Sequence, residues 1–379
     1  MTAVSNYVPG LEGIVAAQTR LSKVDGLAGE LVIAGFKVED IAARAGFEEM
    51  VYLLWFDKLP EQAELKEFTA SLARLRELPA ATLDLLDSYS SKELNMMDAL
   101  RAAVGTLGWD APKLGKDLWL AKRLLAAFPT IVSAAWRLFA RKKVINPDPS
   151  LSHAANYLYM LEGEVPSAER TRGLETYLNT VIDHGLNAST FAARVIVSTA
   201  SDFVSAIVGA IGALKGPLHG GAPGPALDMV FEIGEASKAE AVLRKKLDAG
   251  ERLMGFGHRV YKVRDPRADV LAKAAEEFYM SSGDMKLYNL ALDVEKVALR
   301  VLEEHKPGRK LQTNVEFYTA LLLHGLGLPI QCFTPTFAIG RVGGWLAHCF
   351  EQRKDSRLIR PQSEYVGVSD RKWIPISNR

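Results

Sequence analysis

Cysteine is nearly absent: Cys332 and Cys349 are the only two in 379 residues. They stand seventeen positions apart and form no CxxC pair. A disulfide framework and a cysteine zinc site are therefore excluded, and a reducing compartment fits. An excess of charge is missing too, with 46 Lys and Arg against 45 Asp and Glu. That balance excludes a general nucleic-acid or membrane-surface role, so any anion site must be local. The N-terminus, MTAVSNYVPGLEG, has neither the basic n-region nor the apolar h-region of a secretory signal. The long apolar stretches are interrupted. Residues 191–214 contain Arg194 and Asp202, and residues 318–339 contain His324 and two prolines. Neither reads as a membrane span. The expectation is a cytoplasmic protein.

Strand signals are scarce, and apolar residues recur instead at spacings of three and four. Residues 37–57 read as a helix broken near Gly46, and residues 60–78 as another, closed by Pro79. Residues 83–89 and 94–107 follow. Residues 118–140 form an apolar helix in which Pro129 predicts a kink or break. Phe203, Ile207, Ile211 and Leu214 make a further helix, with Ser205, Ala206, Gly209, Ala210 and Gly212 between them. Such small residues allow close approach of another helix, within the chain or across a subunit interface. Residues 293–304, 314–326 and 337–350 are also helical by pattern. The chain is therefore expected to be all-α. The dense loop GPLHGGAPGP at 216–225 suggests a boundary. The expected division is a large domain from 1–218 and 321–379, and a small domain from 219–320.

The chemistry concentrates in Met254–Arg267, MGFGHRVYKVRDPR. Gly255 and Gly257 lead into His258 and can present it from a tight turn. Arg259, Lys262, Arg264 and Arg267 stand against the single Asp265, which suits a substrate with several negative charges. His219, in GPLHGG, follows the same logic, and paired histidines in such loops suggest acid and electrophile roles. His184 lies in DHGLNAST. Glu316 opens an apolar run, where a carboxylate either complements the helix dipole or serves as a general base. Arg341 is a lone charge in an apolar helix and calls for a carboxylate partner; Arg360 is a weaker candidate. Two readings fit these residue types. One is acid–base chemistry on a di- or tricarboxylate with a phosphate-bearing co-substrate. The other is a metal site from His219, His258 and Glu316.

In order along the chain, GLEGIVAAQT, FEEMVYLLWFDKLP, DHGLNASTFAARV, GALKGPLHGGAPG, MGFGHRVYKVRDPRAD, NVEFYTALLL, FAIGRVGGWLAHCFEQ and RPQSEYVG resemble the citrate synthase family in its short bacterial or archaeal form. The resemblance covers nearly the whole chain. It implies an all-α homodimer whose active sites are shared between subunits, with a small domain closing over the substrates. It implies condensation of oxaloacetate with acetyl-CoA to citryl-CoA, then hydrolysis to citrate and CoA, with no metal and no cofactor. It places His219 on the thioester carbonyl, His258 on the oxaloacetate ketone and Glu316 as the base. It places His184, Arg267 and Arg341 on oxaloacetate, joined by Arg360 from the other subunit, and makes Lys262, Arg264 and Lys310 candidates for the CoA phosphates. No nucleic acid or membrane partner is implied. The family usually carries aspartate where this chain has Glu316, and often asparagine where it has Pro223. The motifs are shared with 2-methylcitrate synthases, which use propionyl-CoA. That activity, or a catalytically weakened member, is the alternative.

Overall fold

The computed structural model describes residues 7–90, 95–109, 111–113, 115–219, 223–258, 260–355 and 357–379, and only the backbone of Pro223 and Asp355. It opens with an antiparallel three-stranded sheet, β1 (Ser22–Asp25), β2 (Glu30–Ile33) and β3 (Phe36–Lys37), in that order across the sheet. Ser22 pairs with Ile33, Asp25 with Glu30, and Ile33 also with Phe36. Asp25 makes the first turn by accepting from the backbone N–H groups of Leu27 and Ala28. Leu31 and Ile33 point into the core and their neighbours do not, the period-two pattern of a half-buried strand.

Helices make up the rest. They are α1 (Val38–Ile41), α2 (Phe47–Phe56), α3 (Gln62–Ala73), α4 (Ala80–Ser90), α5 (Met96–Val104), α6 (Lys116–Phe139), α7 (His153–Glu162) and α8 (Ala168–Val181). Then come α9 (Ala188–Ser198), α10 (Phe203–Leu214), α11 (Pro223–Ile233), α12 (Ala239–Asp248), α13 (Pro266–Ser282), α14 (Lys286–His305), α15 (Val315–Gly325) and α16 (Phe333–Asp355). The all-α expectation holds. The break near Gly46 is present between α1 and α2.

Three local expectations fail. Pro129 does not break its helix: α6 runs unbroken through it for 24 residues. An internal proline costs about 3 kcal/mol, but fourteen other residues from Leu120 to Ala135 are buried around it, and each large apolar side chain contributes about 1.5–3 kcal/mol. Packing outweighs the lost hydrogen bond. The helix expected from residue 293 begins at Lys286, and the one expected from 337 begins at Phe333 with Pro335 in its first turn. Proline is tolerated there because first-turn N–H groups have no intrahelical partner. By length and composition α6 could cross a bilayer, yet 83% of its most apolar window is buried inside the fold.

The second organising helix is α16, which touches α2, α5, α6, α8, α9 and α10. Glycines allow that approach. A Cβ on Gly340 would meet Val181 at 2.8 Å, and one on Gly344 would stand 2.1 Å from the Ile182 carbonyl oxygen. The obstacle at Gly344 is backbone, so a methyl there forces the helices apart. We expect Gly344→Ala to cost about 1–3 kcal/mol of stability, the usual range for overpacking. Urea unfolding would show this, and an unchanged midpoint would rule out the close approach.

Candidate functional site

His258 is held by two neighbours from distant parts of the chain. Segment 255–257 pairs with segment 312–314: Gly257 N–H donates to the Gln312 carbonyl, and Asn314 N–H donates to that of Gly255. Asn314 Nδ2 donates to Gly257 O at 2.8 Å, and its Oδ1 caps α15 through the Glu316 N–H. Both glycines have positive φ, +90° and +81°, and a Cβ on Gly255 would meet Phe317 at 3.0 Å. On its other side the turn meets the sheet, where Lys262 N–H donates to Gly26 O at 2.8 Å. The His258 turn and the Glu316 helix start are thus fixed to each other.

The hydrogen bonds assign the proton on each ring. His258 Nδ1 accepts from the N–H groups of Val260 and Tyr261 at 3.0 and 3.1 Å. A neutral His258 therefore carries its proton on Nε2. Arg267 Nη2 lies 3.4 Å from that nitrogen. Two donors cannot bond each other, so they share a position for an acceptor oxygen. His219 has the opposite tautomer. Its Nε2 accepts from the Ser189 N–H at 3.3 Å and contacts Ser189 Oγ at 2.8 Å, which leaves the proton on Nδ1. Ser189 Oγ accepts from Trp345 Nε1 at 3.1 Å and touches Asn187 Oδ1 at 2.8 Å. Asn187 is itself the cap of α9.

His184 stands beside His258. Its Nε2 is 3.1 Å from the Tyr261 hydroxyl, and its ring centroid is 5.8 Å from that of His258. Arg267 and Arg341 are both buried. Arg267 is paired with Asp265 at 2.8 Å. Arg341 donates from Nε to the Val181 carbonyl at 2.6 Å and stacks on Phe337 at 4.6 Å. Its guanidinium has no carboxylate within ion-pair distance among the described residues. The charges of Arg267 and Arg341 act on both His184 and Glu316, and that of Arg341 on His219. His184, His219, His258, Arg267, Glu316 and Arg341 thus form one neighbourhood. Among the described residues no three His, Cys, Asp or Glu side chains converge as metal ligands.

The other candidates lie apart. Arg360 is exposed in an extended tail, whose Ile359 N–H donates to Ser198 Oγ. Lys262 and Lys310 are exposed. Arg264 is engaged, with Nε on Asp269 at 2.5 Å and Nη1 on Glu295 at 2.7 Å. Arg259 and the glycines after His219 fall outside the described residues. The sequence reading assigned no role to Ser189, Asp265, Trp345 or His348. His348 Nε2 lies 3.1 Å from Asp183, beside His184, and its Nδ1 lies 3.0 Å from Arg194.

Burial, then the cationic arginines, sets the protonation states. Burial and Arg341 hold His219 down to about 4; burial, Arg267 and Lys262 do the same for His258, against Asp265. Burial, then Arg267, Arg341 and His258, holds His184 well below its ordinary value. Burial lifts Glu316 to about 7 against the pull of Arg267 and Arg341. The three histidines are therefore neutral near pH 7. We expect the ring signals of His219 and His258 to titrate near pH 4 by NMR; midpoints near 6.5 would contradict their burial. Between about pH 4.5 and 7 the folded chain keeps a proton on Glu316 that the unfolded chain has lost, so this group makes stability fall as pH rises. Glu316→Gln should therefore be more stable than the parent above pH 7, on the order of 1–3 kcal/mol. The gain should vanish below about pH 4.5, and equal stability at pH 8 would refute the raised carboxyl.

Comparison with known proteins leads to the same place. The sequence model described as "Citrate synthase, C-terminal domain" matches residues 10–362. The chain is 40% identical to the citrate synthase of Haloferax volcanii over 379 residues, covering 98% of each chain. It is 38% identical to the 2-methylcitrate synthase of Shewanella oneidensis, over 98% of this chain and 97% of that one. Among solved structures it resembles Thermoplasma acidophilum citrate synthase in ternary complex with carboxymethyl coenzyme A and oxaloacetate. That likeness has a TM-score of 0.88 and 32% identity, and covers 97% of this chain and 98% of the other. With this agreement running end to end, over a fold that draws its histidines, arginines and carboxylate together, the chain belongs to the citrate synthase family.

Proposed function

We propose that the chain condenses acetyl-CoA with oxaloacetate and hydrolyses citryl-CoA to citrate and CoA, with no metal and no cofactor. The observation that carries this is a pair of buried guanidinium groups beside two neutral histidines of opposite tautomer and a carboxyl poised near 7. The two carboxylates of oxaloacetate suit Arg267, Arg341 and His184. Arg341, having no carboxylate in ion-pair distance among the described residues, supplies the stronger fork.

A thioester methyl proton is far less acidic than any carboxylic acid, so a base alone cannot remove it. Glu316 takes that proton while His219 Nδ1–H donates to the thioester oxygen and stabilises the enol. The enol carbon attacks the ketone carbon, and His258 Nε2–H donates to the developing alkoxide. Water then attacks the citryl thioester and CoA leaves as the thiol. A base whose pKa lies near the working pH suits proton abstraction. In this scheme the small domain, 219–320, closes against 1–218 and 321–379 and excludes water until citryl-CoA forms. Lys262 and Lys310 face solvent at the His258 side and suit the CoA phosphates; Arg264 joins them only by exchanging its carboxylate partners.

The second reading, a 2-methylcitrate synthase using propionyl-CoA, is favoured by the relative of that name at 38% identity. A homodimer fits the exposed small residues Ser205 and Gly212 on α10 and the exposed Leu358, Tyr365, Val366 and Trp373 in the tail. Arg360 would then complete the partner's site. A cytoplasmic location accompanies this reading.

Thiol release should require oxaloacetate, survive EDTA and be faster with acetyl-CoA; faster release with propionyl-CoA would select the second reading. Glu316→Gln should lose about three orders of magnitude in kcat or more, the upper range for a positioned base. Arg341→Leu should cost on the order of 2–5 kcal/mol in kcat/KM for oxaloacetate. Unchanged oxaloacetate kinetics would remove Arg341 from the substrate. Mixed dimers of Arg360→Leu and His258→Ala chains should recover part of the activity. No recovery in verified mixed dimers would argue that Arg360 does not act across the interface.

A further inference from the structure

One buried polar group at this site is not used by the scheme above. Tyr177 is fully buried on α8, and its hydroxyl finds no acceptor for its proton among the described residues. Native folds rarely leave a buried donor without an acceptor, so such a group calls for an explanation.

Its surroundings identify the acceptor. Tyr177 stands four residues before Val181, so the two share a face of α8. Val181 O accepts from Arg341 Nε. Thr319 stands three residues after Glu316 and shares its face of α15. The Thr319 hydroxyl hydrogen-bonds weakly toward the Tyr177 oxygen, and among charges Tyr177 feels Glu316 most, ahead of Arg341 and Arg267. None of these charged groups takes the phenol's own proton in hydrogen-bonding geometry. Glu316 is under-supplied from the other side. Its backbone N–H is capped by Asn314, but its carboxylate has no hydrogen-bond partner among the described side chains. An unused donor and an unused acceptor thus face one site. Burial also raises the phenol well above its ordinary range, so it remains a donor at any working pH.

We propose that Tyr177 is a positioning residue for the base, its hydroxyl donating to the Glu316 carboxylate as that side chain turns toward the acyl-CoA methyl group. The inference rests on the reading of Glu316 as the base. It also accounts for the extra methylene of glutamate. A longer side chain has one more rotatable bond, and a fixed donor selects one of its rotamers. One carboxylate oxygen takes the phenol proton's hydrogen bond and the other keeps its lone pair for the methyl proton. The bond also favours the charged carboxylate and opposes the effect of burial.

The test is Tyr177→Phe in the full-length protein, which removes one oxygen and keeps the ring. Because the lost hydroxyl finds no acceptor for its proton in the fold, the thermal midpoint should be unchanged or higher. Without the donor, the Glu316 pKa rises, so the acid limb of the kcat profile should move up by about one pH unit. We expect kcat to fall about tenfold at neutral pH, since a misplaced catalytic group costs about that or more. The oxaloacetate KM should stay within about twofold. In a Glu316→Gln background the same change should add less than about twofold, because no carboxylate remains to be held. An unmoved acid limb with near-parental kcat, in a chain inactivated by Glu316→Gln, overturns the Tyr177 assignment alone. A tenfold rise in oxaloacetate KM with an unmoved acid limb also overturns it, and moves the hydroxyl to the substrate carboxylate. Near-parental turnover of Glu316→Gln overturns the base itself, and this inference with it.

Discussion

Two guanidinium groups inside an apolar helical core are the constraint around which this molecule is arranged. A buried charge without a partner is costly enough to decide where neighbouring elements can go. Arg267 carries its own counter-ion two residues earlier, in Asp265, which also caps the helix bearing it. Arg341 is treated differently. It receives one backbone carbonyl, one aromatic face and, more remotely, the charge of Asp183. Burial draws its pKa down to about 10. The fold tolerates a cation there without a carboxylate in ion-pair distance among the described residues.

The histidines follow from the same constraint. The loss of water, then nearby cationic side chains, keeps the imidazoles neutral, and backbone N–H groups decide which nitrogen is bare. Opposite tautomers thus arise from ordinary loop geometry, with Ser189 N–H addressing one ring and Val260 and Tyr261 N–H addressing the other. The site needs few special residues. It needs helix starts, at α9, α13 and α15, brought to one place with their caps in order.

Much of this was legible in the sequence, and the failures have physical causes. Apolar period located most of the helices it was applied to, because packing and pattern agree there. It erred at Pro129, where a local rule met a buried surface larger than itself, and at residue 293, where α14 begins two turns earlier, at Lys286. The sheet escaped because strands of four, four and two residues are too short to show alternation. Glycine followed by histidine pointed to His219 and His258, and a lone charge in an apolar run pointed to Arg341. Ser189 and Trp345 escaped because their partners are 30 and 156 residues away. His348 has no sequence signal of its own, and it is buried against Asp183, the neighbour of His184. No spacing rule connects residues so far apart.

The clamp on the His258 turn also bears on the order of folding. Its two jaws are the Gly26 carbonyl and the 312–314 segment, separated by nearly three hundred residues. Contacts of such separation form late, because the closure entropy of the intervening chain must be met before they gain anything. Most helices can form and pack without them. A chain caught partway would have its helical content and much of its core, yet present no ordered His258. Recovery of the native His258 ring environment after refolding should therefore lag recovery of circular dichroism, and the lag measures the closing of this clamp.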